Sequence, residues 1–213
     1  MKVRLIAITK PIIEGCDTAE QLIAYAARVS NPANQDKHDT APKLLSYCVK
    51  HGHWSVFETA SMTMEIVTSR AIAAQLLRHR SFTFQEFSQR YATSDTFEPI
   101  ELRTQDKKNR QGSGNGVGDG DLYWTANEAI NKAFASYRLL INCGVSRETA
   151  RMILPLCTTT TLYMTGNVRS WIHYLQQRTY EGTQKEHREI ALAIKEVFNQ
   201  QFPSIAQVLE SNT

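Results

Sequence analysis

Between Gln75 and Tyr91 the chain reads QLLRHRSFTFQEFSQRY, which sets Arg78, His79, Arg80 and Arg90 among Leu76, Leu77, Phe82, Phe84 and Phe87. An arginine fork donates two parallel hydrogen bonds, which suits phosphates and carboxylates. On a helix, Gln75 and Arg78 stand one turn apart and face the same side. A second stretch, NVRSWIHYLQQR, begins with Asn167 and Arg169, carries His173 and ends with Arg178. Arginines combined with glutamine, serine and asparagine are what a nucleotide phosphate and a pyrimidine edge require. The phenylalanines and His79 offer surface for a flat ring. Taken alone, basic residues closing a helix only complement its dipole. The residue types therefore favour an anionic, aromatic ligand without naming it.

Several elements must position these groups. Lys2 to Thr9 alternates as a strand, with Val3, Leu5 and Ala7 opposite Arg4, Ile6 and Ile8. Thr18 with Gln21 fits a capping box that opens a helix carrying Leu22, Tyr25, Ala26 and Val29 on one face. A second helix is expected from Asp39-Thr40, with Pro42 in its first turn, an inner stripe of Leu44, Leu45, Cys48 and Val49, and Gly52 at its end. Met62, Met64 and Ile66 alternate as a strand. From Ser69 the period becomes helical through Ala71, Ala74, Gln75 and Arg78, which puts Arg78, His79 and Arg80 in the last turn.

Phe97 to Asp121 is glycine-rich and charged. It lacks the strand lead-in and the clean spacing of a phosphate loop, so a flexible surface loop is expected over about 104–120. Asp121 to Cys143 is the clearest helix, with Ala126, Ile130, Ala133, Phe134, Tyr137 and Ile141 at helical spacing and Gly144 beyond it. A short helix from Ser146 carries Arg147 and Arg151 up to Pro155. The stretch TTTTLYMT reads as a strand. Asn167 opens another helix, and a last long one runs from about Thr183, with Ile190, Ile194, Val197 and Phe198 inward, to Pro203. This order predicts a single α+β domain over 1–213, helices packed on a small mixed or antiparallel sheet.

The chain has 213 residues, 42% hydrophobic and 21% charged, with a formal net charge of +3. That charge is too mild to mark a nucleic-acid binder. The N-terminal apolar run is too short for a signal peptide and is broken by Arg4, and no stretch is long enough to span a bilayer. A cytoplasmic protein with neither nucleic-acid nor membrane partner is expected. Cys16, Cys48, Cys143 and Cys157 form no CxxC pair, so reduced, mostly buried thiols are expected. His51-x-His53 lacks a third ligand at a recognised spacing, and no metal site is assigned.

Within the opening segment, R-H-R, then seven residues, then Ser88, followed two residues later by R-Y, resembles the hallmark of the flavin-dependent thymidylate synthases. HGHWSVFE, QLLRHR, RETARMILPL and NVRSWIHYLQQR are similar to further elements of that family, in order and at compatible spacing. The chain departs from the usual family pattern at Thr83, at Gln85 and at His173, which stand for serine, asparagine and, in some relatives, asparagine.

The resemblance implies methylation of deoxyuridine monophosphate (dUMP) to thymidylate. Methylenetetrahydrofolate would give the carbon, and NADPH the electrons, through a tightly bound FAD. No cysteine nucleophile is implied. Ser55, Arg78, His79, Arg80, Glu86, Asn167, Arg169 and His173 would contact the flavin. Gln75, Leu76, Leu77, Arg78, Glu86, Phe87, Ser88, Gln89, Arg90 and Arg151 would form the nucleotide site. Arg178 would bind and polarise the pyrimidine, and His53 would lie near flavin and folate. Homotetramers with active sites shared between subunits are also implied. A rival reading is a basic nucleic-acid-binding module that uses Arg78, Arg80, Arg90 and Arg110 on phosphates.

Overall fold

Met62, Met64 and Ile66 alternate with polar residues because they form the buried face of strand β2 (Ser61–Ser69). In this computed structural model, which describes residues 1–211, β2 pairs antiparallel with β1 (Lys2–Ile8) and with β6 (Thr159–Asn167). Strand β3 (Thr83–Glu86) pairs antiparallel with the other edge of β6, so the sheet order is β1-β2-β6-β3. The α+β expectation is met, and every pairing in the sheet is antiparallel.

The described helices are α1 (Ala19–Ala27), α2 (Ala41–Lys50), α3 (Arg70–Leu76), α4 (Gly120–Asn142), α5 (Arg147–Ala150), α6 (Val168–Arg178), α7 (Lys185–Gln201) and α8 (Pro203–Ser211). One hydrophobic cluster joins β2 and β6 to α1, α2, α3, α6, α7 and α8. At its centre Trp171, Tyr174 and Phe57 are fully buried; removing one such aromatic from water is worth roughly 1.5–3 kcal/mol. The Trp171 indole N–H is satisfied by the Met62 carbonyl at 3.0 Å.

The Thr18–Gln21 capping box forms in both directions. Gly52 and Gly144, placed at helix ends, adopt φ +68 and +84. The buried face of α1 differs from expectation: Ala19, Glu20, Ile23 and Ala24 turn inward while Val29 is exposed. Glu20 is the reason. Its carboxylate accepts the Ile205 N–H at 2.9 Å, capping α8, a helix that the sequence pattern did not resolve after Pro203.

The 104–120 segment is also a correction. Strands β4 (Arg103–Gln105) and β5 (Ser113–Gly116) pair there as a hairpin. Its turn is bonded internally. The Gln105 amide nitrogen donates to the Gly112 carbonyl at 3.0 Å, and Asp106 accepts the Lys108 and Asn109 N–H groups at 2.7 Å each. All four cysteines are free; Cys16 and Cys48 are buried, but Cys143 is exposed at the end of α4, against expectation. No described helix is long and apolar enough to cross a membrane.

Candidate active site

The basic cluster does not close α3. That helix ends at Leu76, and Arg78, His79 and Arg80 fall in tight turns before β3, fixed by Arg78 N–H to Gln75 C=O at 3.3 Å and Phe82 N–H to His79 C=O at 3.1 Å. Phe82 anchors these turns. Its ring meets Trp171 edge-on at 4.7 Å and lies so close to Gly166 that a Cβ there would stand 2.4 Å from it. This explains why one segment needs both charge and aromatic rings. Phe82 and Leu76 hold the turn in the core, and Arg78 and Arg80 are presented to solvent with no side-chain partner among the described residues. Phe82 and Phe84 are therefore packing residues, not stacking surface; only Phe87 of the three is exposed.

Around the turn lies a pocket of about 470 Å³ lined by Gln75, Arg78, Arg178, Gln184 and, from the hairpin, Gln111. Arg178 ends α6, and its Nε donates to His79 Nε2 at 2.9 Å. Arginine only donates, so that histidine nitrogen is bare and the ring neutral. Burial, helped by the Arg178 and His173 charges, pulls the His79 pKa down to about 4. The same causes, with His79 in place of His173, bring fully buried His187 to about 3. The His79 ring also packs edge-on to Tyr174 at 4.9 Å, whose hydroxyl pKa burial raises.

A second pocket, about 620 Å³, opens at the other end of α6. Asn167, Arg169, Ser170, His173 and Ser81 supply its polar groups, Trp54 and Ile172 its apolar wall. Asn167 caps α6 by accepting the Ser170 N–H at 2.8 Å, Arg169 is paired with Glu58, and His173 contacts Gln177 at 3.0 Å. Neither Ser55 nor His53 lines this pocket. Both are exposed and flank Trp54 in sequence, with His53 edge-on to Tyr47 at 5.7 Å. Among the described residues no cluster of His, Cys, Asp and Glu is placed to hold a metal ion.

A third, shallow site holds Ser88, Arg90, Tyr91, Arg147 and Glu148. Arg90 pairs with Glu148 at 2.7 Å, and Arg151 Nε donates to the Glu148 carbonyl at 3.3 Å. The expected nucleotide residues are thus divided in one chain between this face and the Gln75–Arg178 pocket. Two others are turned into the fold. Glu86 takes an ion pair from Arg70 at 2.9 Å and the Thr160 hydroxyl at 2.9 Å, and Gln89 is buried. Leu77 is exposed beside the basic turn, whereas Leu76 is fully buried.

Sequence reasoning missed Arg70, Arg103, Gln111, Gln184, Glu186 and His187. Only His187 had a legible signal, since it stands on the inward stripe of α7 with Ile190, Ile194 and Phe198. The others depend on contacts with residues distant in sequence.

Residues 11–204 match the family model described as thymidylate synthase complementing protein. The chain is 55% identical to a probable flavin-dependent thymidylate synthase of Paramecium bursaria Chlorella virus 1, over 99% of both chains. It is 50% identical to a flavin-dependent thymidylate synthase of Synechocystis, over 99% of this chain and all of that one. The structure of a UMP/dUMP methylase, PolB, from Streptomyces cacaoi, bound with 5-Br dUMP, is similar at a TM-score of 0.84, with 26% identity over 99% of this chain and 94% of that one. With its arginine-rich pockets, its matched motifs and relatives of this similarity along its whole length, the chain belongs to the flavin-dependent thymidylate synthase family.

Proposed function

We propose that this chain methylates dUMP to thymidylate, taking the carbon from methylenetetrahydrofolate and the electrons from NADPH. The observation that carries the site assignment is the pocket in which Gln75, Arg78 and Arg178 converge. The Nε of Arg178 is held by neutral His79, which leaves the rest of the fork for a ligand. A guanidinium fixed in that way stabilises negative charge developing on a pyrimidine ring. Arg78 suits a phosphate group, because no acidic side chain among the described residues neutralises it.

The larger pocket fits one end of a flavin dinucleotide: an apolar wall from Trp54 and Ile172 faces amide, hydroxyl and imidazole groups. Asn167, Arg169 and His173 would hold that end, and the free charge of Arg80 suits the pyrophosphate. When bound, the flavin supplies the hydride. Around it this chain provides orientation and an apolar wall. Cys143 and Cys157 line none of the three pockets, in keeping with chemistry that uses no thiol nucleophile.

The Ser88–Arg90–Arg147 face is open on the single chain, and a homotetramer would complete it with groups from a neighbour. A cytoplasmic location belongs to the same reading. The nucleic-acid alternative is disfavoured because Glu58, Glu86, Glu101, Glu148 and Glu186 each sit against an arginine and break up any basic face. The test is thymidylate formation by purified protein with dUMP, methylenetetrahydrofolate, NADPH and FAD, each omitted in turn. Product that depends on all four is expected; product formed without FAD or NADPH, or none at all, would overturn the reading.

A further inference from the structure

A chain of hydrogen-bonded side chains connects the hairpin to the Gln75–Arg178 pocket. Arg103 Nη2 donates to Glu186 Oε1 at 2.5 Å, and Gln184 Nε2 donates to Glu186 Oε2 at 2.9 Å. Gln75 Nε2 donates to Gln184 Oε1 at 2.6 Å, and Gln75 Oε1 stands 3.1 Å from His187 Nδ1. The polarity of this chain is set at one end. Burial opposes ionisation of Glu186, but the hydrogen bonds and charge of Arg103 and the amide of Gln184 hold its pKa below the usual range. A carboxylate only accepts, so Gln184 must turn its nitrogen to Glu186 and its oxygen to Gln75. Gln75 must then turn its nitrogen to Gln184 and its oxygen to His187, and His187 must carry its proton on Nδ1. The buried His187 Nε2 without a partner is then a bare lone pair rather than a stranded N–H.

The direction matters because the two ends of the Gln75 amide face different surroundings. Gln184 lines the pocket, whereas His187 is fully buried. The nitrogen end of Gln75, with its second N–H uncommitted, therefore lies on the pocket side. We propose that Glu186 is a positioning residue which, acting through Gln184, locks the Gln75 amide so that the pocket presents a hydrogen-bond donor to an acceptor group of the nucleotide. The nucleotide part of this inference rests on the function proposed above; the locked polarity does not.

The test separates the two. The 15N resonances of His187 distinguish Nδ1–H from Nε2–H without any substrate, and the wild-type protein is expected to show Nδ1–H. Glu186→Gln removes the acceptor-only end. It should populate the other tautomer and raise the KM for dUMP about tenfold, the scale of one lost donor hydrogen bond, with a smaller change in kcat. The double variant Glu186→Gln, Gln184→Glu moves the carboxylate one position inward, where it again compels the Gln75 nitrogen to donate; the tautomer should return, while KM stays raised because the new carboxylate faces the nucleotide's charge. Arg103→Ala, which removes the hairpin anchor but keeps the carboxylate, should retain the Nδ1–H tautomer at a pH high enough to leave Glu186 ionised. A wild-type-like tautomer in Glu186→Gln, a double variant with the single variant's tautomer, or loss of the tautomer in Arg103→Ala at a pH where Glu186 is ionised would each overturn the relay. A wild-type protein that makes no thymidylate yet passes the tautomer tests would overturn only the function.

Discussion

The Gln75–Arg178 pocket and the Ser88–Arg90–Arg147 face both carry residues that the family resemblance assigns to one nucleotide, but they are built differently. In the pocket, Arg178 leans on buried-side His79, Gln75 on buried His187, and the amides continue to Glu186. On the open face, Arg90 has only Glu148, and both side chains are mostly in solvent. A side chain held by neighbours that are themselves packed keeps its geometry before a ligand arrives. An exposed ion pair is screened and exchanges readily. The first region is pre-organised by its own chain; the second is not.

The sharpest way to break this contrast is Arg178→Ala. It should lower turnover about 10²–10³-fold, the scale of removing a fixed donor to developing charge, while flavin absorbance in the purified protein persists. Near-normal turnover would remove Arg178 from the chemistry. Gly166→Ala comes next. The added Cβ strikes the Phe82 ring and should cost roughly 1–3 kcal/mol in chemical denaturation by overpacking. Unchanged stability would show that the turn is not anchored through Phe82.

Arg90→Ala probes the open face. Its loss should weaken dUMP binding by about 1.5–3 kcal/mol, read by titration, with little change in the melting temperature. Unchanged affinity would exclude Arg90 from the site.

Acidification reads the interior region without mutation. His79 and His187 have folded pKa values of about 4 and about 3, against 6.5 ordinarily. Between those limits the unfolded chain binds more protons, so stability rises with pH there and is lost as pH falls below about 6.5. The slope is at most about 1.4 kcal/mol per pH unit for each histidine, and less for half-buried His79, which solvent screens. Flat stability from pH 7 to 5 would mean that both rings take up protons in the fold as readily as in the unfolded chain. Smallest of all, Glu148→Ala should change stability by less than about 0.5 kcal/mol, because its pair with Arg90 is exposed. A larger loss by thermal denaturation would show that the open face is structurally committed after all.

The sequence by itself determined the elements whose signals are local. Thr18 and Gln21 cap α1 across three residues, Gly52 and Gly144 end helices, and Met62, Met64 and Ile66 define a strand by their period. It also placed Gln75, Arg78, Asn167, Arg169 and Arg178 as candidate site residues, because their spacing within each of two short segments is itself the motif. Only the tertiary structure decided that His79 supports Arg178, that Glu86 is paired with Arg70, and that a hairpin expected to be loose carries Arg103 to Glu186. It also separated the two ends of α6 into different pockets. The physical reason is range: caps and periods act within a turn or two, whereas burial, pKa shifts and the direction of an amide chain arise only once distant segments are packed together.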